Sequence, residues 1–273
     1  MIDFPNAKIN LGLDVIAKRN DGYHEIESVL FPISLADALE IIPAKNGQSG
    51  FASSGLKIPS DGKSNLCQRA FDLLKEEFKL PEVYIHLHKV IPAGSGLGGG
   101  SSDAAFTLKM ANKIFSLNLD SEKMMQLAAK IGSDCPFFIE NKPMLASGRG
   151  EILKPAPLSL KGMSLLLVKP NVHVSTAEAY AGIKPRQPNM PISQIISLPI
   201  EHWKHKLKNH FEESVFASHP ILAQIKKQLY TSGALYAAMS GSGSAIFGIF
   251  DKPPKTDLAK VFPEFFVWLE EIK

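Results

Sequence analysis

The stretch Pro92-Ala93-Gly94-Ser95-Gly96-Leu97-Gly98-Gly99-Gly100-Ser101-Ser102-Asp103 decides how this chain is read. Five of the 20 glycines in the 273 residues fall within residues 94–100. Residues 83–91 before it read as a strand, and residues 101–115 after it as a helix. Glycines lack a Cβ, so their backbone N–H groups can approach a ligand closely. The first turn of the following helix adds N–H groups without intrahelical partners and the positive end of the helix dipole. A strand, a glycine turn and a helix start together make an anion site suited to phosphates. Ser101 and Ser102 add hydroxyls that can cap the helix or ligate a phosphate-bound Mg²⁺. A bare flexible turn is the plain alternative, and the flanking elements weigh against it. Gly94-x-Gly96-x-x-Gly99 also matches a dinucleotide fingerprint. That fingerprint needs an acidic residue about 20 positions on, at the end of a second parallel strand, and Asp120 instead opens a helix. A Walker-type loop ending at Gly62-Lys63-Ser64 fails because Lys57 stands where its first glycine should be.

Towards the N-terminus, Ala7, Ile9, Leu11, Leu13 and Val15 alternate with Asn6, Lys8, Asn10, Gly12 and Asp14, which predicts a strand with one buried face. Asn20-Asp21-Gly22 is a tight-turn signal, so residues 23–33 should return as a second strand, with residues 38–42 as another. Residues 47–62, rich in Gly, Ser and Lys, read as an exposed connection. Residues 65–78 read as a helix with a capping box from Asn65 and Gln68. Towards the C-terminus, Asp120 or Ser121 should cap a helix that Gly132 stops. Residues 133–136 read as a turn before the apolar run 137–139. Residues 148–157 read as a hinge or domain junction, and residues 182–199 as a long surface loop. Beyond these, a buried strand is expected at 164–168 and helices at 201–216 (broken near 208–210) and 221–232. Strands at 234–239 and 245–250 should flank Ser240-Gly241-Ser242-Gly243, with a last helix near the C-terminus. The mixed order of elements favours an α+β fold.

Composition narrows the function. At 45% hydrophobic and 21% charged residues the chain can bury a core, which excludes disorder. Two cysteines suggest a reducing, cytoplasmic setting. A net charge of +3 from scattered residues leaves no nucleic-acid footprint. No apolar run approaches the ~18 residues of a membrane span, and the first residues lack the pattern of a secretory signal.

Four further groups could carry chemistry. Lys8 stands between Asn6 and Asn10, an unexpected donor-rich row for a strand. Asp134 reads either as a cap or Asx turn, or as a carboxylate able to accept a hydroxyl proton. Tyr23 and His24 read as an exposed turn pair or as a base-stacking and hydrogen-bonding pair. Residues 240–244 make a small polar loop that could form a second wall beside the glycine loop.

Taken in order, three motifs resemble the GHMP kinase superfamily. They are Pro5-Asn6-Ala7-Lys8-Ile9-Asn10-Leu11 with Arg19-Asn20-Asp21-Gly22-Tyr23-His24, then residues 91–105, then residues 239–246; Gly132-Ser133-Asp134-Cys135-Pro136 fits the same pattern. The resemblance spans essentially the whole chain. It implies a two-domain α+β fold, with a ribosomal-protein-like N-terminal domain over residues 1–155 and a ferredoxin-like C-terminal domain over residues 156–273. It implies transfer of the ATP γ-phosphate to a small alcohol, with Mg²⁺ on the phosphates and Ser101 or Ser102 as a possible ligand. Lys8 and Asp134 match the catalytic lysine and aspartate, and residues 92–102 the ATP phosphate loop; Asn65 falls near the adenine pocket. The Asp-Gly-Tyr-His pairing resembles the branch whose substrate carries a cytidyl diphosphate: Tyr23 and His24 match the cytosine contacts and Tyr180 a second aromatic across the base. Asn10, Thr176, Ser240 and Gly241 match positions near that substrate. The alternatives are a homoserine- or mevalonate-type kinase and a non-catalytic nucleotide-binding protein of the same fold. Small-molecule partners are expected, with neither nucleic acid nor membrane, and the oligomeric state is left open.

Overall fold

The computed structural model describes residues 1–44, 49–59, 62 and 64–273. Gly47, Gln48, Ser60 and Asp61 of the expected connection, and Lys63 of the Walker-type ending, lie outside the described residues. The chain forms two compact units. The first gathers Met1–Lys8, Leu35–Ala93 and Gly98–Lys142; the second gathers Ile9–Ser34, Gly94–Leu97 and Pro143–Lys273. The division expected at residue 155 falls inside the second unit.

The first unit contains a four-stranded sheet in the order Ile2–Asp3, Ala38–Pro43, Val83–Lys89, Gly50–Gly55, with helices Leu66–Phe78, Gly99–Ile114, Ser121–Ala129 and Cys135–Glu140. Along Val83–Lys89, Val83, Ile85, Leu87 and Lys89 are buried and Tyr84 and His88 exposed, the period of two expected of a sheet with one covered face. The Asn65–Gln68 capping box forms on both sides, with the Cys67 N–H donating to Asn65 Oδ1 at 2.9 Å and the Asn65 N–H to Gln68 Oε1 at 3.1 Å. Asp120 caps helix Ser121–Ala129 through the Lys123 N–H at 2.8 Å, as expected, and does not end a parallel strand.

The second unit contains two antiparallel sheets. One runs Asn6–Lys18, His24–Ala36, Met144–Ser147, Ile152–Pro155, its first strand beginning in segment Met1–Lys8. The other runs Tyr236–Met239, Ile246–Phe250, Ser164–Lys169, Phe266–Glu271. Helices Phe211–Ser218 and Pro220–Thr231 close a core that includes Leu166, Val168, Phe211, Ile225, Leu229, Met239 and Ile246. The break expected near 208–210 is where His210 N–H bonds to the Leu13 carbonyl at 2.8 Å, so these residues extend a sheet edge instead of continuing a helix.

Five local readings need correction. The first long strand is buried on both faces, with Lys8, Asn10 and Asp14 no more than 8% exposed. Part of the expected connection 47–62 is the strand Gly50–Gly55, which pairs in parallel with Val83–Lys89. Residues 148–157 hold the turn and second strand of the Met144–Ser147/Ile152–Pro155 hairpin, with Gly148 at φ +72° and Gly150 at φ +109° meeting its turn. Residues 182–199 include the helix Ile192–Ile195, which buries Ile192 and Ile195. The final element is the strand Phe266–Glu271; the helix near the C-terminus, Leu258–Val261, is short and precedes it.

Candidate functional site

In the first unit the backbone brings Lys8, Asp134 and the start of the glycine-loop helix together. Lys8 sits near the beginning of its strand and is 4% exposed, with Nζ 3.5 Å from Asp134 Oδ2. Asp134 stands at the N-cap of Cys135–Glu140, yet its side chain makes no capping bond. The capping reading therefore fails. Its carboxylate is turned towards Lys8 and remains 38% exposed, open to a reacting group. Gly98 explains how the loop passes this pair. Its φ is +71°, and a Cβ there would come within 3.1 Å of Lys8 Cε and 2.9 Å of Phe138 Cζ. Only glycine fits both the left-handed backbone and the space.

Helix Gly99–Ile114 begins immediately after Gly98, with no side-chain cap, and its first intrahelical bond is Ser102 N–H to the Gly98 carbonyl at 2.9 Å. The N–H groups of Gly99, Gly100 and Ser101 precede that bond and form the helix's positive end. Ser101 reaches the Cys135 thiol, which burial pushes up to about 12. Ser102 is fully buried, and its Oγ has no hydrogen-bond partner. An orphaned buried hydroxyl at a helix start is unusual. Its hard oxygen suits a phosphate or a phosphate-bound Mg²⁺, so Ser102 fits the metal role better than Ser101. Among the described residues no group of three or more His, Cys, Asp or Glu is placed to hold a metal. Asn65, expected near the adenine pocket, has its side chain engaged in the helix cap.

Three buried ionisable groups adjoin this turn, and their association was not legible in the sequence. Lys89 Nζ donates to Asp103 Oδ2 at 2.7 Å and to Asp37. Burial raises Asp103 to about 8 against the pull of Lys89. Burial works against the charge of Lys89 too, but the two carboxylates outweigh it and hold the ammonium above its usual range.

In the second unit, segment Gly94–Leu97 packs on residues 240–245. Asn10 N–H donates to Ser240 Oγ at 3.2 Å, and Ser240 Oγ donates to the Gly96 carbonyl at 2.9 Å. The Ala245 N–H reaches the Ser95 carbonyl at 3.1 Å. Gly96 has φ +77°, and a Cβ there would lie 1.9 Å from the Ser240 carbonyl oxygen. Residues 240–245 thus lie against this part of the glycine loop. Asn209, missed in the sequence, holds them by donating to the carbonyls of Met239 and Gly241 at 2.8 and 2.7 Å. Asn10 Nδ2 also donates to Ser28 Oγ at 2.8 Å. Ser95 and Leu97 are buried and anchor the segment, while Ala93 and Gly94 are exposed. His173, also missed, stands beside Gly94, where a Cβ would be 2.9 Å from its Nδ1.

His24 stacks on Tyr180, centroids 4.7 Å apart and planes 20° from parallel, and Tyr180 meets the edge of Phe211 at 4.8 Å. Tyr23 is 56% exposed, with the Arg149 guanidinium 4.8 Å from its ring centre. A base between His24 and Tyr180 requires a ring separation of about 7 Å, two van der Waals contacts of about 3.5 Å each. As they stand, the two rings touch each other. Thr176 is exposed in the first turn of Thr176–Ala181, one helical turn before Tyr180. Separately, Asp14 on the first long strand lies 3.6 Å from His210 Nε2 and feels the charges of Glu27 and Arg186. Burial and Glu27 lift Asp14 to about 6 while Arg186 acts against them, and burial lowers His210.

A glycine-bridged helix start beside a buried lysine and an open carboxylate is an arrangement that phosphoryl transfer can use. Residues 65–142 match the family description "GHMP kinases N terminal domain" and residues 199–267 match "GHMP kinases C terminal". The chain belongs to the GHMP kinase family and is an ATP-dependent kinase. Within that family it is 50% identical over 276 residues to the 4-diphosphocytidyl-2-C-methyl-D-erythritol kinase of Bacteroides fragilis, covering all of both chains. A crystal structure of 4-(cytidine 5'-diphospho)-2C-methyl-D-erythritol kinase superposes with a TM-score of 0.83 at 33% identity, covering 98% of each chain. The Methanococcus jannaschii mevalonate kinase shares the fold, with a TM-score of 0.75 at 14% identity over all of this chain and 98% of that one. No described helix is long and apolar enough to cross a membrane.

Proposed function

We propose that this chain transfers the γ-phosphoryl group of ATP to the 2-hydroxyl of 4-diphosphocytidyl-2-C-methyl-D-erythritol, a step of non-mevalonate isoprenoid biosynthesis carried out in the cytoplasm. Full-length 50% identity to kinases of that name is the observation that supports this reading most. Phosphoryl transfer depends mainly on positioning and on offsetting charge spread over the phosphate oxygens. The N–H groups of Gly99, Gly100 and Ser101 at the helix start hold the β- and γ-phosphates, and Ser102 Oγ completes that set. Mg²⁺, when bound, would neutralise charge on the same phosphates, with Ser102 and then Ser101 as the side chains nearest to hand. Asp134 accepts the hydroxyl proton as that oxygen bonds to the γ-phosphorus and the bond to ADP breaks. Lys8 favours the ionised hydroxyl and offsets the charge that develops.

On the acceptor side, Tyr23 offers an open face for the cytosine, His24 a ring nitrogen for its edge, and Tyr180 a second aromatic surface once the His24 stack parts. Asn10, Thr176, Ser240 and Gly241 orient the rest of the acceptor. The test is ADP release with MgATP and a panel of acceptors: the cytidyl diphosphate, homoserine and mevalonate. Turnover on the cytidyl compound alone is expected. Turnover on homoserine or mevalonate without it would overturn the substrate, and nucleotide binding with no turnover on any acceptor would make the chain a non-catalytic binder.

A further inference from the structure

Asp37 is bonded to, or one residue removed from, three first-unit segments: the start of the Lys8 strand, the strand entering the glycine loop and the loop's helix. Its N–H donates to the Pro5 carbonyl at 2.9 Å, three residues before Lys8. Its Oδ1 accepts the N–H groups of Val90 at 2.6 Å and Ile91 at 2.8 Å, where the strand runs into the glycine loop. Its Oδ2 accepts from Lys89, and Lys89 passes the connection to Asp103 in the second turn of the loop's helix. Lys89, Asp37 and Asp103 are 6%, 1% and 2% exposed. Lys89 Nζ would also stand 3.3 Å from a Cβ at Gly99, so the ammonium lies against the first helical residue.

A core needing only cohesion is served as well or better by apolar side chains of the same volume, because desolvating ionisable groups opposes folding. What ions with fixed hydrogen-bond directions add is geometry. Here that geometry fixes the Lys8 strand, the strand preceding the loop and the loop's helix against one another, all in one unit. We propose that Lys89, Asp37 and Asp103 are a positioning triad that sets the angle of the glycine-loop helix and thereby the affinity for the nucleotide phosphates. The proposal rests on the reading of that loop as the ATP phosphate site.

Asp103→Asn keeps an oxygen for Lys89 and leaves one lysine balanced by one aspartate; Asp103→Ala removes the link. The Lys89→Met/Asp103→Leu double variant replaces the ion pair by an apolar contact while Asp37 keeps its two N–H donors. The measurements are KM for MgATP, KM for the cytidyl acceptor, kcat and thermal melting, with ATP binding by calorimetry. Asp103→Ala and the double variant should each raise KM and Kd for ATP at least tenfold, with KM for the acceptor unchanged, while Asp103→Asn stays within threefold of wild type. Folded variants that bind ATP as wild type does would overturn the triad, leaving it a plain core element. Failure of both disrupting variants to fold would overturn it in the same way. A wild-type chain that does not bind ATP would instead overturn the reading of the loop.

Discussion

The two units hold their proposed site residues by different means. In the first, the groups are charged: Lys8 lies 3.5 Å from Asp134, and Lys89 is clamped between two buried carboxylates beside a helix N-terminus. In the second they are neutral: an Asn10–Ser240–Gly96 relay of hydrogen bonds and a His24–Tyr180 ring stack. The difference matches a division of labour. Moving a phosphoryl group calls for preorganised charge. Recognising a base and a sugar alcohol calls for shape, stacking and directional donors. The first unit should therefore govern kcat, and the second the affinity for the acceptor.

The largest effect that could break this contrast is at Lys8 and Asp134. Lys8→Ala and Asp134→Asn should each lower kcat by about 10³-fold or more, within the range of a lost acid–base partner, while circular dichroism stays native. Retention of near-wild-type turnover by either would remove charge chemistry from the first unit. Next is Gly96→Ala, where the new Cβ would sit 1.9 Å from the Ser240 carbonyl oxygen at φ +77°. Left-handed strain and the clash together should cost about 3 kcal/mol in a urea titration. A neutral outcome would show that the glycine is not required by the Ser240 loop.

Asp14 tests whether the second unit's own buried charge is only structural. Its folded value of about 6 lies above its ordinary 3.8, so between these pH values the folded chain holds a proton that the unfolded chain has released. Stability contributed by this group therefore falls as pH rises through that window and stays low above it. Asp14→Asn should be more stable than wild type at pH 7.5 by about 2 kcal/mol, with the gain gone below about pH 4 and kcat unaltered. A stability difference independent of pH would contradict this. The smallest effect is Tyr180→Ala, which should raise KM for the cytidyl acceptor about tenfold, as loss of one base-stacking surface does, and leave KM for ATP unchanged. A change in kcat alone would reverse the assignment of roles.

Features written in neighbouring residues were legible in the sequence. The capping box at Asn65 and Gln68, the Asp21-Gly22 turn with Gly22 at φ +84°, and the strand–glycine–helix order all formed as the local chemistry dictates. What was not legible depends on distance along the chain. Lys89 meets Asp37 and Asp103 across 52 and 14 residues, and although Asp103 closes the glycine-loop motif, no local pattern pairs it with the other two. Gly50–Gly55 carries few strand-forming side chains and becomes a strand by pairing with Val83–Lys89 at the end of its sheet. Ile192 and Ile195 are buried within a proline-rich stretch whose composition signals a loop. The Lys8 face read as polar is covered by tertiary packing that alternation cannot report.

The chain passes between its two compact units at five places, one of them the Leu97–Gly98 peptide inside the glycine loop. For recombination this has a direct consequence. No single crossover with a relative can exchange one unit intact, because each is assembled from three separate stretches of the gene. Inheritance by blocks would mix Lys8 from one parent with Asp134 from another, and only parents whose buried ion pairs agree would yield a working chimera.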